Sequence, residues 1–125
     1  SVDVVYGCRW LSNDTPDKVA ANQRYKVNLR LQNTGTIPWE AGGTVPVQLV
    51  YRWVSAAGNA VTVAAATPTK LPALVQPGES VEVSAFLVAP KEHGRYDLEW
   101  DLQFAGTLLF SDKGVAPLRV PVTVE

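Results

Sequence analysis

The chain has 125 residues, 46% of them hydrophobic, and its eleven Lys and Arg against twelve Asp and Glu leave a net charge of −1. That length and composition fit one domain with its own core and exclude a disordered tail. Cys8 is the only cysteine and His93 the only histidine, which excludes an internal disulfide and a Cys/His zinc cluster.

Period-two alternation dominates from the N-terminus onward. Val2, Val4, Tyr6, Cys8 and Trp10 share one parity and predict a first strand. The polar run 13–22, with Pro16 and two Asp residues, predicts a loop. Tyr25, Val27, Leu29 and Leu31 alternate with Lys26, Asn28, Arg30 and Gln32, the pattern of a half-buried strand. Turn chemistry follows in Asn33-Thr34-Gly35, ahead of Pro38 and Trp39. Val47, Leu49, Tyr51 and Trp53 predict the next strand, and Ala57-Gly58-Asn59 turns the chain into a hairpin partner over 61–66.

In Gln76-Pro77-Gly78-Glu79, Pro presets φ and Gly accepts positive φ, so a turn is predicted there. Val81, Val83, Ala85 and Leu87 alternate after it. The stretch 90–94 predicts another turn. Tyr96, Leu98, Trp100, Leu102 and Phe104 then share one face, with Asp97, Glu99, Asp101 and Gln103 on the other. Leu118, Val120, Val122 and Val124 predict the last strand. Sustained helical spacing is missing. Seven to eight short antiparallel strands with turns between them predict an all-β, two-sheet immunoglobulin-like sandwich without a disulfide, in preference to a closed barrel. The chain starts at Ser1 and has no methionine, so residues 1–125 are expected to be a single domain excised from a larger protein, or a processed chain.

Glu92-x-Gly94-x-Tyr96-x-Leu98 resembles the tyrosine corner of immunoglobulin folds, where a Tyr hydroxyl bonds upstream backbone. The resemblance implies that Leu98 and Leu29 stand where antibody domains have their cysteines, with an aromatic (Trp53 or Tyr51) packed against them. Further elements resemble a set of bacterial immunoglobulin-like accessory domains. They are Asn33-Thr34-Gly35 with Trp39, Tyr51-x-Trp53, Leu71-Pro72, Gln76-Pro77-Gly78-Glu79, Ala89-Pro90, the run from Gly94 to Leu102, and Phe110-Ser111 with Gly114. Such domains are appendages of larger surface, secreted or carbohydrate-active proteins, so the resemblance implies an extracellular or cell-surface setting. The Asn-Thr-Gly…Trp element is also similar to the four-tryptophan domain of autophagy receptors.

Groups able to do chemistry are scarce. His93 lies in a Lys-Glu-His-Gly turn, and a nucleophilic site would need it beside a hydroxyl or thiol and a carboxylate. Asp97, Glu99 and Asp101 share a strand face about 7 Å apart, too far to share one Ca²⁺. Exposed cross-strand pairing with Arg52 and Arg119 is the expected use of that row. Trp53, Trp100 and Tyr96 fall on core parities. Trp39 and Phe110 lie in predicted loops and Trp10 ends the first strand, so these three are the candidate ligand-binding rings, with Trp39 the one most expected to pack beneath the sandwich end. No catalytic residue, cofactor or metal is expected.

The expected function is a non-catalytic accessory or interaction module whose partners are neighbouring domains or another protein. The alternative is a carbohydrate-binding module that stacks a polysaccharide on loop aromatics. The Lys and Arg residues are scattered along the chain, so nucleic acid is not an expected partner. No apolar run approaches the ~20 residues of a membrane-spanning helix, so direct membrane insertion is not expected either.

Overall fold

The structure is a computed structural model that describes residues 3–125. Among the described residues ten strands follow one another: β1 Cys8–Asn13, β2 Lys18–Val19, β3 Arg24–Asn33, β4 Val47–Ser55, β5 Ala60–Val61, β6 Thr69–Lys70, β7 Ser80–Val88, β8 Gly94–Phe104, β9 Leu108–Leu109 and β10 Leu118–Val124. One 3₁₀ turn, Phe110–Lys113, sits between β9 and β10. The strands form two sheets, one ordered β1-β3-β7 and the other β2-β10-β8-β4-β5, with β6 on β4 and β9 on β8. The all-β, two-sheet immunoglobulin-like sandwich is what the alternation predicts. Its strand count rises to ten because four two-residue strands lie in segments too short to show a period. One pairing, β2 with β10, is parallel.

The core forms where the alternating apolar faces meet. Val27, Leu29 and Leu31 of β3 and Val83, Ala85 and Leu87 of β7 face Leu49 and Trp53 of β4 and Leu98, Trp100 and Leu102 of β8, all buried. Each such side chain, taken out of water, contributes roughly 1.5–3 kcal/mol. The polar ends of three core aromatics, Trp53, Trp100 and Tyr96, are satisfied. Trp53 Nε1 donates to Val88 O at 2.9 Å and Trp100 Nε1 to Thr15 Oγ1 at 3.1 Å. The Tyr96 hydroxyl donates to Glu92 O at 2.7 Å, the bond that defines a tyrosine corner. Leu98 and Leu29 are both buried in the same core cluster, and aliphatic packing stands in for a disulfide.

Asn33 organises one end of the sandwich. Its side chain is fully buried, with Nδ2 donating to Ile37 O (2.9 Å) and Val75 O (3.2 Å) while Oδ1 accepts from Gly35 N (3.0 Å). Its backbone holds the Gln76–Glu79 turn, through Gly78 N to Asn33 O at 2.7 Å and Asn33 N to Glu79 O at 2.9 Å. Gly78 has φ +89°, as the third position of a type II turn requires. Gly35 lies against the N-terminal segment, where a Cβ would collide with Val5 O and come within 2.8 Å of Gly7 N.

Three local expectations are corrected. The first strand begins at Cys8, with Val4 64% exposed, because residues 3–7 bond the 34–36 loop instead of a sheet neighbour; Val2 lies outside the described residues. The hairpin partner of β4 stops at Val61, since a turn from Val63 to Ala66 takes the chain away. The 13–22 loop contains β2, which lies beside the end of β10.

Candidate functional site

Trp39 and Phe110 are fully buried, so Trp39 packs beneath the sandwich end as expected of it and neither ring is the ligand-binding candidate that its loop placement made it. The loop carrying Trp39 folds inward because its backbone forms a bridge with Val75, N–H to O at 2.8 and 3.0 Å. Phe110 opens the 3₁₀ turn and packs edge-on against Trp39 and Tyr6, at centroid distances of 6.1 and 5.3 Å. A sugar cannot stack on either face. Trp10 is half-buried, with Nε1 donating to Ala116 O at 3.0 Å, and is the one candidate ring of the three that meets solvent.

The acidic row sits on the outer face of the larger sheet, but its members diverge. Glu99 is clamped between two guanidiniums, Arg52 Nε to Oε1 at 2.7 Å and Arg119 Nη2 to Oε2 at 2.7 Å. The pairing is the expected one, whereas its exposure is not. The Glu99 side chain is only 5% exposed while the arginines are 63% and 60% exposed, because the two arginine stems cover it from β4 and β10. Burial acts to raise the Glu99 pKa, but the hydrogen bonds and charges of Arg52 and Arg119 outweigh it and hold the carboxyl below the usual range. Both carboxylate oxygens are occupied, so the group is a clamp between strands.

Asp101 is also buried, and it accepts from Leu102 N (2.8 Å) and Ser111 N (3.3 Å), tying the 3₁₀ turn back onto β8. Burial pushes its carboxyl up, partly opposed by those hydrogen bonds. Asp97 is half-exposed. The Cys8 thiol is pushed up to about 12, chiefly by burial and then by Asp101, which leaves it unreactive at neutral pH. His93 stands exposed in its turn.

The smaller sheet has a different outer face. Odd residues of β3 are buried, so Arg24, Lys26, Asn28 and Arg30 project outward in a row. Arg9 of β1 lies opposite Gln32 and joins them. Across from this row β7 presents Glu82 opposite Arg30, Ser84 opposite Asn28 and Phe86 opposite Lys26. The guanidinium of Arg24 lies 3.9 Å over the Phe86 ring, which is 45% exposed. Asp14, the other acid here, is engaged by Asn28 through its backbone N–H at 2.6 Å and Nδ2 at 3.0 Å. Four exposed cations thus collect on one face of a nearly neutral chain. Sequence spacing counted them as scattered. The alternation that predicted β3 held the missed signal, since Arg24, Lys26 and Arg30 share its polar parity.

The family described as "Ig-like domain from next to BRCA1 gene" matches residues 14–122, almost the whole chain. The chain belongs to that family. No curated protein matches its sequence. Among solved structures, the CARDB domain of a Pyrococcus furiosus protein is similar at TM-score 0.51 and 14% identity, over 98% of this chain and 94% of that one. The Pseudomonas fluorescens alkylpurine DNA glycosylase AlkC, bound to DNA containing an abasic site analog, is similar at TM-score 0.50 and 13% identity. That match covers 98% of this chain and 30% of the glycosylase. At such identities these likenesses bear on the fold alone, and both agree with an Ig-like sandwich. Membership in an Ig-like family points to an interaction or accessory module.

Proposed function

We propose that this Ig-like domain is a non-catalytic interaction module of a larger bacterial surface or secreted protein, and that it makes its contacts through the outer face of the smaller sheet. The observation that carries the reading is the sorting of charge. On the larger sheet the cations Arg52 and Arg119 are consumed by Glu99. On the smaller sheet Arg9, Arg24, Lys26 and Arg30 are exposed and form no ion pair among the described residues. A face of like charge with an aromatic at its margin attracts and orients an oppositely charged partner. The surface setting rests on the resemblance to bacterial accessory domains.

The test is capture by the immobilised domain from extracts and culture supernatant of the source organism. Proteins held by the wild type and lost when Arg9, Arg24, Lys26 and Arg30 are all replaced by Glu support the reading. Equal retention by both forms refutes it. The second reading, carbohydrate binding, is favoured by the solvent-facing part of Trp10. Retention on a polysaccharide panel that Trp10→Ala abolishes would establish it, and absence of retention on every glycan removes it.

A further inference from the structure

Sheet edges differ sharply in how they are protected. In the smaller sheet the β1 edge carries a bulge between Trp10 and Ser12, and the Trp10 indole bonds across to Ala116. The larger sheet ends in two-residue strands, with Pro121 in the stretch of β10 that β2 leaves uncovered. Bulges, short strands and proline are the usual guards against strand addition. The β7 edge has none of them. Its nine residues pair with β3 without a register shift, contain no proline, and carry one charge, Glu82.

The register identifies the open groups. Ala89 N donates to Gln23 O and Asn33 N to Glu79 O, both at 2.9 Å, so odd-numbered residues of β7 exchange backbone bonds with β3. Even-numbered residues point their N–H and C=O away from the sheet. At Val88 both are already taken, the N–H by the Tyr51 hydroxyl and the C=O by Trp53 Nε1, each at 2.9 Å. At Ser80, Glu82, Ser84 and Phe86 the backbone groups have no partner among the described residues. Beside this edge lies a groove of about 410 Å³ lined by Arg24, Ser84, Phe86 and Val88 together with residues of the 65–69 segment.

We propose that the β7 edge from Ser80 to Phe86 is a strand-addition site for an extended acidic segment of a partner protein, an assignment that rests on the interaction-module reading and specifies its partner. An added strand would continue the three-stranded sheet as β1-β3-β7-partner and satisfy the open N–H and C=O groups. Every second side chain of that strand would emerge on the outer face, ~7 Å apart along the chain. There it meets the outward side chains of β7 first, Ser80, Glu82, Ser84 and Phe86, with the Arg24 guanidinium over Phe86 and with Lys26 and Arg30 one strand further in. Acidic residues at alternate positions are complementary to this face at its Arg24, Lys26 and Phe86 end, and Arg30 stands opposite the one acid, Glu82. A second copy of this chain is disfavoured, because pairing two β7 edges would bring two rows of Arg24, Lys26 and Arg30 into one sheet face.

The test uses a fluorescent peptide of alternating glutamate and valine, with an alternating lysine and valine peptide as control, observed by amide NMR on the whole chain. Saturable shifts at sub-millimolar glutamate peptide, centred on the amides of Ser80, Glu82, Ser84 and Phe86 and suppressed by salt, are expected. Ser84→Pro removes an outward N–H and should abolish binding; the spread of its amide spectrum reports whether it folds. Arg24→Glu leaves the edge intact and should weaken binding about tenfold or more. Absence of saturable shifts up to millimolar peptide overturns the proposal, as does binding retained by a folded Ser84→Pro. Concentration-dependent broadening of the same amides without peptide would instead identify a second copy as occupant and overturn the acidic-segment assignment. If Ser84→Pro still captures the natural partners while the fourfold charge reversal does not, the interaction module stands and the edge assignment falls.

Discussion

Removing Arg52 and Arg119 one at a time and then together separates a surface ion pair from a buried charge held by two exposed ones. Each arginine is about three-fifths exposed, so Arg52→Met or Arg119→Met alone, which keeps an apolar stem over Glu99 but no donor, leaves it one guanidinium and should cost about 0.5–1 kcal/mol, the upper range for solvent-facing pairs. With both gone, a carboxylate 5% exposed in its side chain has no counter-charge. Stripping a buried ion of its partners costs on the order of 3 kcal/mol, so the double variant should lose more than the two singles combined. The pH dependence must also change sign. In the wild type Glu99 titrates below the usual carboxylate range, so its contribution is present above the unfolded pKa and is lost as pH falls through the folded value. In the double variant only burial remains, the carboxyl is pushed up, and stability instead rises as pH falls through that raised value. Urea unfolding between pH 4 and 8 measures both effects. Glu99→Gln in the double background should restore most of the loss. Additive singles, or an unchanged pH slope, would refute the reasoning.

Asp101→Asn keeps the Oδ1 acceptor for Leu102 N and Ser111 N while removing a charge that burial disfavours. It should be at least as stable as the wild type at pH 7. The difference should shrink as pH falls and the wild-type carboxyl takes up its proton, and a loss above about 1 kcal/mol at pH 7 in urea titration contradicts this. With its pKa near 12, the Cys8 thiol should resist disulfide-exchange reagents at pH 8 until urea unfolds the chain. Labelling of the folded protein at the rate of a free thiol is the contrary result. Asn33→Ala leaves Ile37 O without its buried donor and Gly35 N without its acceptor, while Val75 O keeps the bond from Trp39 N, at a cost of about 2–3 kcal/mol by urea unfolding. Gly35→Ala drives a Cβ into Val5 O, and should speed hydrogen exchange at Thr36 N, which donates to that oxygen at 2.9 Å. Unchanged exchange would show that the 3–7 segment adapts.

The long strands were legible because period two and strong turn chemistry coincide in them. β3 and β8 show this best, with one buried parity each and turns at 33–36 and 90–94 before or after them. Tyr96 and Leu98 could be read from their resemblance to a tyrosine corner, because that corner is a local bond between residues four apart. The two-residue strands could not be read, because a period needs more than one repeat to declare itself. That neither Trp39 nor Phe110 is open to a ligand could not be read for a related reason. Loop assignment from sequence says where backbone regularity ends, while burial depends on whether the loop folds inward, and here a bridge to Val75, thirty-six residues away, decides it.

Charge was the hardest property to read in one dimension. Strand alternation sorts side chains between two faces, and topology then decides which rows become neighbours. Arg52, Glu99 and Arg119 lie on β4, β8 and β10, which are adjacent only because β8 takes the place between the other two. That adjacency neutralises the larger sheet. β3 has no acidic strand of comparable length at its side, only Glu82 on β7, so its cations form no ion pair among the described residues. The same arrangement puts β7 at an edge, where four of its residues have backbone groups without a partner among the described residues. A basic row beside an open strand edge follows from strand order, and the chemistry of both asks for the same thing: an extended chain with carboxylates at alternate positions.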